Sequence, residues 1–167
     1  DDDIAERLPT SFGGVIAALV GRLPSSTTDI LGLAAIAGET IDLDMLAELR
    51  SIAPVDLAGR LDAALAVGLL VEDIDGTVRF RHGVLQQMLA RHQPALQRRL
   101  AHANILDWLR HQPDSRAGEI ARHAERSGDL TTAYHALLDA AHQARDEFGF
   151  PEAAKLYMKA LSIAERL

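Results

Sequence analysis

Apolar residues recur at helical spacing along the first third of the chain. Leu8-Pro9-Thr10-Ser11 offers capping residues for a first helix, which ends before Pro24. A second stretch, Ser25 to Gly38, is apolar on most sides, which indicates a buried helix. Leu43 to Arg50 and Val55 to Val67 are shorter amphipathic stretches. The pattern therefore predicts four short helices in this region.

Two short runs rich in branched residues follow, Leu69 to Ile74 and Thr77 to Arg81, and Asp75-Gly76 separates them. Asp-Gly between such runs is the strongest local signal of a β-hairpin. Val78 and Phe80 alternate with polar residues, which places one face of the hairpin on a core and the other in water. In a winged helix domain, several helices are followed by one hairpin. We therefore expect residues 1–92 to form a winged helix domain.

The rest of the chain has a helical pattern throughout. After a helix over His82 to His92, the pattern predicts helices over about 95–111, 115–127, 129–147 and 151–167. The last two match each other at an offset of 20 residues, and small residues at such positions allow adjacent helices to pack closely. The matched residues, which we expect to be packing positions, are Ala133, Leu137, Ala140, Ala153, Tyr157 and Ala160. We therefore expect residues 93–167 to form an antiparallel, tetratricopeptide-like helical stack.

Composition supports a mainly α fold. Ala and Leu, which favour helices, are abundant, whereas aromatic residues make up 4% of the 167 residues. A chain of this length buries a core without covalent cross-links. It has no Cys, which excludes disulfide scaffolds, thiol nucleophiles and Cys-ligated metal sites.

The net charge of −7 lies entirely in the front of the chain. Residues 1–93 hold 14 acidic and 7 basic side chains, whereas residues 94–167 hold ten of each. The acidic start, Asp1-Asp2-Asp3, is unlike a signal peptide, and no apolar run reaches the length of a membrane span, so we expect a cytoplasmic protein without a membrane partner. The chain begins without Met and ends within a helical pattern, so we expect it to be part of a longer protein.

The sequence carries no recognisable catalytic motif. It has neither a Walker-type phosphate loop nor the Ser-centred elbow of the hydrolases, and Gly13-Gly14 has no Lys partner. Glu72, Asp73 and Asp75 flank the predicted hairpin turn, where no pocket encloses them as acid–base chemistry requires. We expect this chain not to be an enzyme and to hold no cofactor of its own.

The seven histidines do not have metal-binding spacing. No two of them lie four residues apart, and His135 and His142 have no third ligand at a suitable offset. We expect no metal site, and we interpret the histidines as solvated or capping side chains.

Nucleic-acid binding is a possible function of a winged helix, and charge argues against it here. The helix in the recognition position carries Asp56, Arg60 and Asp62 within an acidic domain. Because phosphate backbones require Lys and Arg, we expect no direct nucleic-acid contact by this chain. A DNA-binding winged helix and a helical-repeat adaptor for protein–protein interaction remain as alternative functions.

The segment Phe80 to Leu85 joins a strand to a helix and contains Arg81 and His82. One interpretation is a histidine that hydrogen-bonds to backbone at the start of the helix. The other is a functional histidine, and it depends on a resemblance.

The order of several segments resembles the region that follows the ATPase core in bacterial signal-transduction ATPases of the STAND class, which include large ATP-binding LuxR-type transcriptional regulators. The segments that carry the resemblance are Leu8 to Pro24, Ala34 to Gly38, Leu61 to Leu70, Phe80 to His82, Arg98 to His102 and Gly128 to Ala141.

The resemblance implies a role for each part of the chain. It implies that the winged helix folds on the protein's own ATPase domain, which binds ADP or ATP with Mg²⁺, and that the helical arm binds a protein or small-molecule effector. His82 matches the histidine of the Met-His-Asp motif, which contacts the β-phosphate of ADP in the off state. Arg81 stands at the Met position, as a second candidate for nucleotide sensing, and Gly83 stands at the Asp position.

Overall fold

The structure is a computed structural model that describes residues 10–113 and 115–167. The described residues form nine helices and one two-stranded antiparallel sheet, which confirms a mainly helical fold. The elements are α1 (Thr10–Val20), α2 (Ser25–Ala37), α3 (Leu43–Arg50), α4 (Pro54–Ala66), β1 (Leu70–Glu72), β2 (Val78–Phe80), α5 (Gly83–His92), α6 (Ala95–Arg110), α7 (Ala117–Ser127), α8 (Leu130–Asp146) and α9 (Phe150–Ala164). The expected capping residues Leu8 and Pro9 lie outside the described range.

The chain divides into two compact units between Ala95 and Leu96. Within the described part of the chain, we found no helix with the length and apolar character needed to cross a membrane.

Helix α2 lies at the centre of the first unit, as its apolar pattern predicts. Its side chains from Ile30 to Ile36 are buried, and it packs against α3, α4 and α5. Two polar contacts fix these neighbours: the Thr27 hydroxyl donates to the Arg60 carbonyl of α4 at 3.1 Å, and the Gln86 amide of α5 donates to the Ala35 carbonyl. The two contacts join α4 and α5 to the same buried helix.

The structure confirms the predicted position of the hairpin and the side of it that is buried. Leu70 pairs with Phe80 and Glu72 with Val78. The turn depends on Gly76, whose φ of 83° favours glycine, and on Asp75, whose carboxylate accepts the Thr77 N–H at 3.0 Å. Val78 and Phe80 are buried while the residue between them is exposed.

A third segment bonds along the other edge of β2. The Ile41 N–H donates to the Val78 carbonyl at 2.8 Å, and the Phe80 N–H donates to the Glu39 carbonyl at 2.9 Å. Thr40 faces Arg79 in an isolated antiparallel bridge. The sequence pattern did not reveal this segment, because the four residues between Gly38 and the start of α3 are too few to show alternation.

In the second unit, α8 packs against both α7 and α9. A cluster of buried side chains joins the four helices of this unit, and Leu106 of α6, Ala124 of α7, Leu137 of α8 and Ile163 of α9 all belong to it. Connections of two residues between α7 and α8, and of three between α8 and α9, hold consecutive helices close together.

The packing positions expected in α8 and α9 are largely confirmed. Four of the six are buried: Ala133, Leu137, Ala153 and Ala160. Ala140 and Tyr157 are only half-buried, and Ala141 is buried in place of its neighbour.

The junction between α7 and α8 is defined by polar contacts. Gly128 ends α7 with a φ of 92°, and the Asp129 carboxylate caps α8 by accepting the Thr132 N–H at 3.0 Å. Arg110 of α6 donates to the same carboxylate at 2.8 Å and also to the Thr132 hydroxyl. The start of α8 is therefore attached to the end of α6.

Candidate functional site

His82 is presented to solvent at the junction between β2 and α5. It is the N-cap residue of α5, with extended backbone (φ −138°, ψ 130°), and its carbonyl accepts the N–H groups of Leu85 and Gln86. Its side chain is exposed and makes no capping hydrogen bond. The interpretation of a ring that hydrogen-bonds to the helix start is therefore wrong.

Arg81 has a structural partner next to this histidine. Its Nε donates to the Gly68 carbonyl at 2.8 Å, and its backbone N–H donates to the Leu69 carbonyl at 3.0 Å. Gly68 has a φ of 75°, and the Arg81 guanidinium lies over it. Arg81 is exposed, and its hydrogen bonds secure the turn between α4 and β1.

A carboxylate lies over the first turn of α5. The Glu39 side chain is so close to Gly83 that a Cβ atom at position 83 would collide with its Oε1. An acidic group near a helix N-terminus is favourable, because the unpaired N–H groups there carry partial positive charge. The carboxylate beside Gly83 thus comes from a distant part of the sequence.

The hairpin carboxylates have structural roles. Asp73 pairs with Arg79 through two hydrogen bonds, the shorter at 2.8 Å, and this raises the pKa of Arg79. The Thr77 N–H lowers the pKa of Asp75. Charged, exposed carboxylates fit the interpretation of this segment as a turn.

The second unit contains a polar pair that sequence reasoning missed. His102 of α6 and His123 of α7 face each other with their Nδ1 atoms 3.0 Å apart and their ring centroids 4.9 Å apart. Only 1% of His123 is exposed. The interpretation of the histidines as solvated or capping is therefore wrong for His123. A signal was available, because His123 lies within the buried stripe of α7 between Ala121 and Ala124.

The surroundings of His102 favour its neutral state. Burial, together with the positive charges of Arg122, Arg126 and Arg98, lowers the pKa of His102 from 6.5 to about 4. In the hydrogen bond between the two Nδ1 atoms, one nitrogen donates and the other accepts. His102 is therefore an uncharged partner in this hydrogen bond near neutral pH.

Metal binding has no support from the described side chains. Among residues 10–113 and 115–167, no three His, Cys, Asp or Glu side chains are grouped as a metal ion would need.

Comparison of the chain with protein-family models, with curated proteins and with solved structures found no match.

Proposed function

We propose that this chain is a regulatory segment of a STAND-type ATPase, one that couples the nucleotide state of an adjoining ATPase domain to a partner or effector. The chain itself is then not an enzyme, and the ADP or ATP with Mg²⁺ belongs to the ATPase domain. The observation that carries the proposal is His82, an exposed imidazole at the end of a strand that makes no capping hydrogen bond.

The element order of the first unit supports a winged helix. From α2 onwards the order is one helix, the extended segment 39–41, the two helices α3 and α4, and the two strands β1 and β2, as in that domain. The third extended segment makes the likeness closer than the hairpin alone. This domain would fold on the ATPase domain.

In this proposal, the exposed His82 imidazole contacts a diphosphate. An imidazole beside a phosphate gains a charge-assisted hydrogen bond that exists only while the two domains are closed. The bound nucleotide would then stabilise the closed and the open arrangements of the two domains to different extents, which is what a switch requires. The Glu39 carboxylate over Gly83 supplies an acidic group where the Met-His-Asp motif has Asp.

The second unit fits a tetratricopeptide-like arm. Buried Ala133, Ala153 and Ala160 allow close packing of successive helices, and the short connections favour antiparallel neighbours. In this proposal the arm binds a protein or small-molecule effector.

A helical-repeat adaptor is the second candidate function. It is favoured by exposed apolar side chains along one face of α9, among them Phe150, Met158 and Leu161. Their spacing puts them on a single stripe, as helix-in-groove recognition requires. Such an adaptor would bind its partner without any ATPase domain.

A DNA-binding winged helix is less favoured. On α4, which would be the recognition helix, Asp56 and Asp62 are exposed and Arg60 is half-buried. An acidic exposed surface repels the phosphate backbone. We expect no salt-sensitive duplex binding by this chain at physiological salt.

The test uses the protein in its full length. A Walker-type loop in the sequence upstream of Asp1 is the first requirement, and its absence would refute the proposal. With the loop present, His82→Ala should increase the rate at which ADP dissociates from the purified protein. His92→Ala is the matched control, since His92 is exposed at the other end of the same helix.

Because the His82 side chain makes no capping hydrogen bond, its loss should leave α5 intact, and circular dichroism checks this. Unchanged ADP retention in His82→Ala would show that His82 does not sense nucleotide. Partner capture by the chain without its ATPase domain, independent of nucleotide, would favour the adaptor.

A further inference from the structure

Helix α9 carries two apolar stripes, and one of them is buried. The buried stripe consists of Ala153, Ala160 and Ile163, together with the half-buried Leu156, which packs against the core cluster of the second unit. These four residues are spaced by 3, 4 and 3 positions, the repeat that keeps side chains on one seam along a helix. This stripe attaches α9 to the rest of the unit.

The second stripe of α9, which we call the exposed stripe, has the same kind of spacing. Its members follow each other at 4, 3, 4 and 3 positions: Phe150, Ala154, Tyr157, Leu161 and Ala164. Tyr157 is half-buried, and its ring contacts His142 of α8 with centroids 5.8 Å apart, whereas the other four are exposed. Apolar residues at this spacing are typical of a helix that packs against another helix.

Phe148 extends this surface at the start of α9. Its φ of 63° is unfavourable for a bulky residue, and its side chain is exposed. The ring meets the Phe150 ring edge-on, with centroids 6.3 Å apart. Neither the backbone conformation nor the exposure stabilises the isolated chain, and backbone strain of this kind is typical of a contact site.

We propose that the exposed stripe, together with Phe148, binds the same surface of a second copy of this chain, with the two α9 helices antiparallel. The stripe holds no charged residue, so pairing it with itself brings no like charges together. An isologous contact of this kind forms a closed dimer. The proposal names a partner for the surface that the adaptor candidate uses, and it does not depend on an ATPase domain.

The order of side-chain sizes along the exposed stripe fits itself in reverse. With Tyr157 at the two-fold axis, Phe150 of one copy lies opposite Ala164 of the other, and Ala154 lies opposite Leu161. Each large side chain then meets a small one, which allows facing helices to interdigitate. A parallel pair would place Phe150 against Phe150 and Ala154 against Ala154, which fits poorly at both levels.

The size of the contact limits its strength. A helix of 15 residues is about 22 Å long, which is short for a contact of about 800 Å² on each partner, as stable complexes have. We therefore expect a weak, reversible dimer that is dissociated in dilute solution.

The first test is sedimentation equilibrium of the whole 167-residue chain over a range of concentrations. The proposal expects a reversible equilibrium between monomer and dimer. Leu161→Ala should raise the dissociation constant at least about tenfold, because each dimer loses two partly buried leucine side chains. Leu100→Ala is the matched control and should leave the constant unchanged, since Leu100 of α6 is 55% exposed and Leu161 is 56% exposed.

The second test uses the absence of Cys from the chain to measure the register. Under mild oxidation, Ala154→Cys mixed with Leu161→Cys should form a disulfide-linked dimer, because a disulfide requires neighbouring backbones. The link should form faster than that of Ala154→Cys with itself or with Leu100→Cys. Circular dichroism checks that each variant keeps its helices.

Three results would overturn the proposal. They are a chain that stays monomeric at the highest concentrations reached, equal weakening by Leu100→Ala, and self-linking of Ala154→Cys as fast as its linking to Leu161→Cys. The adaptor candidate is judged separately, by capture of another protein, so a monomeric chain that captures one would overturn self-association alone.

Discussion

The His102–His123 pair should make the stability of the protein depend on pH in a defined direction. The pKa of His102 falls from 6.5 to about 4 in the folded chain, with burial as the main cause. The unfolded state therefore takes up a proton between pH 6.5 and 4 that the folded state does not. Since the unfolded state binds more protons, stability should fall as pH falls through this range.

The size of the effect follows from the pKa difference. A change from 6.5 to about 4 corresponds to at most about 3.4 kcal/mol. Because His102 is only half-buried, solvent screens part of this, and we expect a loss of about 1–2 kcal/mol between pH 7.5 and pH 5.

Urea unfolding at several pH values measures this loss. Trp108, the single tryptophan of the chain, lies on α6 with His102, so its fluorescence reports on the same unit. His102→Gln keeps a neutral polar side chain and removes the titration. Between pH 7.5 and pH 5, this variant should therefore lose less than half as much stability as the wild type. His111→Gln is the matched control on an exposed histidine of the segment that follows α6. An identical pH dependence in His102→Gln and the wild type would refute the reasoning.

Two further predictions concern the second unit. Ala133 is completely buried between helices, so Ala133→Leu should destabilise the protein by about 1–3 kcal/mol in urea unfolding. The control is Ala154→Leu on the exposed face of α9, which should be neutral within about 0.5 kcal/mol. Equal effects would show that close helix packing does not depend on the small residue. Asp129→Ala removes the N-cap of α8 and the contact with Arg110, and it should lower the free energy of unfolding by about 0.5–2 kcal/mol. Asp139→Ala on the exposed face of α8 should lower it by less. The reverse order would contradict the capping role of Asp129.

The elements that the sequence predicted well are those with a local cause. Asp75-Gly76 defines the hairpin turn through a side-chain hydrogen bond and a positive φ, and both depend on the two residues themselves. Gly128 ends α7 for the same kind of reason. The prediction of the hairpin also located the junction that contains Arg81 and His82, because this junction follows the second strand and precedes α5.

Features that depend on distant partners could not be predicted. Glu39 lies over Gly83, and Arg81 bonds to Gly68, because the fold brings separate segments together. The pairing of His102 with His123 likewise requires α6 to lie against α7. Spacing rules test histidines on one helix, so a pair shared between two helices is not detected.

The packing positions of α8 show the limit of comparing two helices by offset. Helix α8 has neighbours on two sides, α7 and α9, and buries residues towards both. A match to α9 at 20 residues aligns a single stripe, which places Ala133 and Leu137 correctly. It does not place Ala141, which is buried although its counterpart Leu161 is exposed.

The attachment of α5 to α2 has a mechanical consequence. Gln86 ties the first turns of α5 to the Ala35 carbonyl, and the Gln93 side chain lies over Gly32, one helical turn earlier on α2. Helix α5 is thus held near both ends by the most buried helix of the first unit. A force applied at His82 should therefore pass through α5 to α2. We expect this histidine to move together with the core of the first unit rather than as part of a flexible loop.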